Sequence, residues 1–108
     1  MKMYQKRSLA LRLSHQLRSF GMTFSLAQKM SWDWINQHGA AGVTFQKLSG
    51  EITTRVIARG KASDYVEFKG TGSSIGPDRL LMVDLGKYLT GRPAIISTYR
   101  NRIINIVA

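Results

Sequence analysis

Cysteine is absent from this chain. That excludes a disulfide scaffold, a thiol nucleophile and any cysteine-based zinc site. A chain without thiols suits a reducing cytoplasm. Acidic residues are scarce: six Asp and Glu stand against sixteen Lys and Arg, for a net charge of +10 over 108 residues. There are only two histidines, His15 and His38, and they lie far apart in the sequence. Two distant histidines and scattered carboxylates do not make up the three or four ligands of a metal site. No apolar run approaches the roughly 18–20 residues of a membrane span. The N-terminal stretch "MKMYQKRSLALRLSHQL" is basic, but charge interrupts its apolar residues, so it lacks the h-region of an export signal.

What is present is enough for one domain. Hydrophobic residues make up 44% of the chain, so a single core can form. The excess positive charge points to a polyanionic partner, and nucleic acid is the commonest one. The charge is uneven. Residues 1–32 carry Lys2, Lys6, Arg7, Arg12, Arg18 and Lys29, and the first acid is Asp33.

The hydrophobic period changes at Gly39, from helical before it to strand-like after it. A first helix is expected from Tyr4 to Phe20, with Leu9, Leu13, Leu17 and Phe20 on one stripe and Arg7, Ser14 and Arg18 on another face. Gly21 supplies its stop. "TFSLAQKMSWDWINQHG" reads as a second helix, capped by Thr23 or by Ser25, which stands at capping-box spacing from Gln28. Its apolar stripe is Ala27, Met30 and Trp34. Trp32 points off that stripe and is expected to pack on the following sheet. His38 belongs at the helix C-terminus, where it meets the macrodipole.

After Gly39 the pattern is β. "VTFQKL" and "EITTRVIAR" flank Ser49-Gly50, the signal of a two-residue hairpin turn. "DYVEFKG", "RLLMVDL" and "PAIISTY" are further strands, and "RIINIVA" is a short sixth strand or a continuation after a bend. Five or six short strands in roughly 65 residues favour a small bent barrel that hides its edges by closing. The expected fold class is therefore α+β: two N-terminal helices over residues 1–39 and a small five- to six-stranded barrel over 40–108, together one compact domain.

The helix "MTFSLAQKMSWDW", the hairpin "VTFQKLSGEITTRVI" and the ending "IISTYRNRIINI" resemble small phage and mobile-element proteins with an Sm-like, SH3-type β-barrel, a group related to the WYL domain. The resemblance covers about Thr23 to Val107. Arg102-Ile103 match the "RI" that begins the last strand in WYL-type domains, and Tyr99 and Arg100 match the preceding aromatic/Arg pair. The Trp-Tyr-Leu triplet is absent, and "RLLMV" stands in its place. The resemblance implies a barrel that binds nucleic acid or nucleotide-like ligands.

No constellation for catalysis is legible. "GTGSSIG" (70–76) has glycines like a phosphate loop but lacks the Lys-Ser/Thr ending and a following helix. Asp64, Asp78 and Asp84 sit near turns or strand ends, where carboxylates accept turn amides. No catalytic residue, metal or cofactor is assigned. The candidate nucleic-acid-binding residues are Arg55, Arg59, Lys69, Tyr99, Arg100 and Arg102. Arg55 and Arg59 share a strand face, as do Arg100 and Arg102. If their strands adjoin, the four arginines form one patch, with Tyr99 and Tyr65 as stacking surfaces beside it. Arginine brings forked donors for phosphate and a flat face for bases. Lys61, Lys87 and Arg92 are placed to follow a backbone. Arg7, Arg12 and Arg18 make a second basic patch on the first helix. The alternative for each is a solvated charge that keeps an exposed strand soluble.

The expectation is a non-enzymatic protein of phage or mobile-element origin, acting in bacterial cytoplasm. It binds DNA or RNA through phosphates with weak sequence preference. The rival is a protein–protein module that blocks a host nucleic-acid or defence complex, or a minor virion component. Membrane partners are not expected, and self-assembly is left open.

Overall fold

The computed structural model describes residues 2–60, 65 and 78–107. Among them the chain is α+β, with three helices and two small antiparallel sheets that hold five strands in all.

Helix α1 spans Met3–Ser19, within one residue of expectation at each end. Leu9, Leu13 and Leu17 are buried, and Phe20 is half-buried just beyond the helix. Two bonds close the C-terminus: the Gly21 amide donates to the Arg18 carbonyl at 2.9 Å, and the Met22 amide to the Leu17 carbonyl at 3.2 Å. This is the bond pair of a Schellman stop. Ser14 corrects the expected polar face, because it is buried. It lies one turn from both Ala10 and Leu17, on the side the rest of the protein covers.

Helix α2 spans Phe24–Gln37. Thr23, not Ser25, is its cap, with the hydroxyl oxygen accepting from the Leu26 amide at 3.4 Å. Its fully buried stripe is Ala27, Ser31 and Ile35 rather than Ala27, Met30 and Trp34. Ser31 can face inward because its hydroxyl donates to the Ala27 carbonyl one turn back, at 2.7 Å. Met30, Trp32 and Trp34 are partly buried against the main core.

Strands β1 (Ala40–Gln46) and β2 (Ile52–Ala58) form a hairpin. Its turn differs from the expected two-residue loop. The Gly50 amide donates to the Lys47 carbonyl at 2.9 Å, and the Lys47 amide donates to the Glu51 carbonyl at 2.8 Å. The loop is therefore Leu48, Ser49 and Gly50. Gly50 takes a φ of +91°, the left-handed third position of that hairpin class.

Strands β3 (Arg79–Val83) and β4 (Ile95–Tyr99) pair in a second sheet. Between them lies a short helix, α3 (Leu85–Leu89), in a stretch expected to be strand end and loop. Asp84 starts it by accepting the Lys87 amide at 3.1 Å, as the turn reading of that aspartate required. A single 3-10 turn over Arg100–Arg102 then leads to β5 (Ile103–Val107). The C-terminal segment is thus a separate strand. It crosses to the first sheet and pairs with β1, giving the order β2-β1-β5.

The two sheets meet at one bridge, Ile57 with Asp84, and are unclosed among the described residues. Continuous pairing of β2 with β3 stops there because the chain turns into α3 directly after Asp84. The strand expected at 64–70 lies outside the described residues.

Alternation along the strands divides the core. Ala40, Val56 and Ala58 join Leu9, Leu13, Leu17, Ala27 and Ile35 in the larger cluster, under the helices. Val43, Phe45 and Met82 form the smaller one, with Ile57, Leu80, Ile96 and Ile103 packed around it. The first sheet is covered by helices on one face and by the second sheet on the other. The larger cluster draws on both the helical segment and the strands. No described helix is long and apolar enough to cross a membrane.

Candidate nucleic-acid interface

The structure separates the four candidate arginines. β2 and β5 do not adjoin, because β1 lies between them. Arg59 follows Ala58 at the end where Ala58 pairs Ala40, whereas Arg102 precedes Ile103 at the end where Ile103 pairs Phe45. Strands of this length hold the two ends roughly 20 Å apart. Arg100 and Arg102 lie in the 3-10 turn rather than on a strand, so spacing by two does not put them on one face.

Each candidate has its own surroundings. Arg55 turns to the inside: its Nη1 is 3.8 Å from Oδ2 of Asp84, whose side chain is 1% exposed. That arginine balances a buried carboxylate. Arg59 is exposed beside Gly39 and shares a pocket of about 340 Å³ with Lys6 and His38. The Tyr65 hydroxyl donates to the Arg59 carbonyl. The Tyr65 ring packs against Trp34 and Tyr88, with centroids 6.2 and 5.4 Å away, so it belongs to an aromatic cluster instead of an open stacking surface. His38 caps α2 and its ring lies 4.4 Å from that of Trp34. Lys61, Lys69, Asp64 and "GTGSSIG" fall outside the described residues.

On α1, Arg7, Arg12 and Arg18 are all exposed. Arg7 and Arg18 are about three turns apart and share a side, while Arg12 faces elsewhere. Arg12 lines a groove of about 310 Å³ between α1 and the first sheet, with Tyr4, Thr44 and Thr54. The Arg18 guanidinium lies 5.3 Å from the Phe24 ring centre, and that of Arg92 lies 3.9 Å from Phe20. These contacts hold the cations against apolar surface.

Tyr99 and Arg102 do come together, in a cleft of about 360 Å³ between the hairpin loop and the β3–β4 sheet. Two cations that sequence reasoning did not single out join them there, Lys47 and Arg79. Arg79 opens β3 and Tyr99 closes β4, and the antiparallel register sets them opposite each other. The Arg79 guanidinium then lies 4.8 Å from the Tyr99 ring centre. Arg102 anchors the other wall, with Nη1 donating to the Lys47 carbonyl at 3.2 Å. The Lys47 ammonium is 3.7 Å from Glu51, an exposed pair that solvent weakens. Leu48 stands at the cleft's rim, 81% exposed. The sequence showed Arg79 as the first residue of a strand, but its place opposite Tyr99 depends on the pairing of β3 with β4.

The cleft thus combines three cations, the rings of Tyr99 and the buried Phe45, and one solvent-facing leucine. Arginine offers forked phosphate donors and a planar face, lysine a point charge. Among the described residues, no three His, Asp or Glu side chains are grouped to hold a metal ion. No known protein family, curated protein or solved structure matches the chain.

Proposed function

We propose that this protein binds DNA or RNA without catalysing a reaction, mainly through phosphates and with little sequence preference. The observation that carries the reading is the cleft in which Lys47, Arg79 and Arg102 surround Tyr99. The net charge of +10 supplies long-range attraction to a polyanion. In this reading the two sheets are the halves of an SH3- or Sm-like barrel. The return of β5 to β1 after the 3-10 turn and the apolar cluster between the sheets support that architecture. The resemblance to small phage and mobile-element proteins supports an origin there and action in bacterial cytoplasm.

The test is a fluorescence-anisotropy titration of labelled oligonucleotides across a salt series. Wild type should bind at micromolar or tighter levels at low salt. The slope of log K against log[salt] should shrink by about 0.9 for each phosphate-contacting residue removed from a duplex complex. A folded Lys47/Arg79/Arg102→Ala variant should lose most of the binding. Absence of binding at low salt overturns the proposal.

One feature favours the rival, a protein partner. β5 has no charged residue, and Ile104 and Ile106 on it are 57% and 53% exposed. An uncharged edge strand is a template for pairing with another chain. Such an interface, with an apolar centre, responds far less to salt.

A further inference from the structure

We infer that the cleft between the hairpin loop and the β3–β4 sheet takes one unpaired base of a single-stranded nucleic acid, its flanking phosphates resting on Lys47 and Arg102. The inference deepens the nucleic-acid reading above and rests on it.

Phosphate binding alone needs only cations on an exposed surface. This site has more. It is concave, with a volume of about 360 Å³, and Phe45 contributes an apolar surface to its lining. A duplex keeps its base faces stacked inside and offers phosphates outside, so it has nothing to put into such a cleft. A single strand presents bases that can be splayed out and stacked.

The stacking surface is already assembled. Cross-strand register places Arg79 opposite Tyr99, with the guanidinium carbon 4.8 Å from the ring centre, so a cation and an aromatic ring stand together at the cleft. A guanidinium and an aromatic ring are both planar groups on which a base can stack. Leu48 lines the same cleft from the hairpin tip. A leucine 81% exposed contributes almost nothing to the core. Apolar side chains that stand out beside cations are the kind that wedge against bases. Ser49 and Ser97 also line the cleft, and their hydroxyls can donate to or accept from any base edge. That fits weak sequence preference.

The experiment compares three labelled probes of equal length by anisotropy at one low salt concentration. They are a single strand, a hairpin duplex and a single strand carrying a run of abasic sites. Wild type should bind the single strand at least tenfold tighter than the other two. Leu48→Ser, at a position too exposed to affect folding, should weaken single-strand binding while leaving the abasic probe unchanged. Tyr99→Ala should cost about 5- to 140-fold, the equivalent of ~1–3 kcal/mol of base stacking at 1.4 kcal/mol per tenfold, and Tyr99→Phe should restore it. Equal affinity for all three probes, with Leu48→Ser silent, overturns this inference and leaves phosphate binding standing. Failure to bind any probe overturns both.

Discussion

The guanidinium of Arg55, on β2, lies 3.8 Å from the carboxylate of Asp84, just after β3, and so joins the two sheets beside the Ile57–Asp84 bridge. Asp84 is fully buried, and its other oxygen accepts from Gln16 at 2.7 Å and from the Lys87 amide at 3.1 Å. A residue of α1, a strand of each sheet and the start of α3 converge on one carboxylate. Removing a partner from a buried pair leaves an uncompensated group, at a cost of about 3–5 kcal/mol. Asp84→Ala should therefore destabilise by roughly that amount in urea unfolding. Arg55→Gln leaves the buried Asp84 carboxylate without its cation but keeps an amide able to donate to it and the Gln16 and Lys87 bonds, so it should cost less, about 1–3 kcal/mol. Oligonucleotide affinity of folded Arg55→Gln should stay within about twofold of wild type, since a 0.4 kcal/mol change is that small a factor. A large affinity loss at unchanged stability would return Arg55 to the binding surface.

Gly86 belongs to the same junction. A Cβ there would run into the Gln16 side chain, which reaches over this residue to Asp84. Alanine favours a helix over glycine by about 1 kcal/mol. Overpacking costs about 1–3 kcal/mol, and the Gln16 bond to a charged oxygen is lost besides. Gly86→Ala should therefore destabilise on balance. In a Gln16→Ala background the obstacle is gone, and Gly86→Ala should become neutral or stabilising. Additive effects in the double-mutant cycle would show that the two residues are not coupled.

Ser14 and Ser31 are both buried hydroxyls facing the core, but only one is satisfied. Ser31 donates to Ala27, whereas the Ser14 oxygen has no hydrogen-bond partner among the described residues. An unsatisfied buried hydroxyl costs about 1–3 kcal/mol, and alanine is the better helix former. Ser14→Ala should raise the urea midpoint by the equivalent of roughly 1 kcal/mol. Ser31→Ala should fall within about 0.5 kcal/mol of wild type, because the lost bond offsets the propensity gain. A Ser14→Ala variant less stable than wild type would mean that the hydroxyl has a bound water or another partner.

Local features were legible in the sequence, and partner choice was not. The leucine stripe of α1, the stop at Gly21, the cap at Thr23 and the β1–β2 hairpin all depend on residues within a few positions of each other. α3 was missed because five residues make too short a helical pattern, and its cap, Asp84, is held by Gln16, sixty-eight positions away. The arginine patch failed on topology. Period-two alternation puts Arg55 on the same strand face as Arg59, but nothing local says that β5 pairs with β1 rather than β2. Of the expected site, Tyr99 and Arg102 meet in the cleft, Arg55 turns inward and Arg59 lies at the far end.

That separation of ends gives a direct comparison between two arginines of equal charge, Arg59 exposed and Arg102 half-buried. Arg102 lines the Tyr99 cleft, and Arg59 lines the pocket beside His38. Either substitution lowers the net charge by one, so any difference between them reports position rather than total charge. With a single-stranded probe, Arg102→Ala should reduce the salt slope by about 0.7, the share of one phosphate contact on a single strand. Arg59→Ala should leave the slope near the wild-type value and change affinity only through weak long-range attraction, which a Debye length of roughly 10 Å at moderate salt suppresses. Equal slope changes for both variants would mean that the nucleic acid runs along the whole first sheet, from the Phe45 end to the Ala40 end. A change for Arg59→Ala alone would move the interface to the Lys6–His38 pocket.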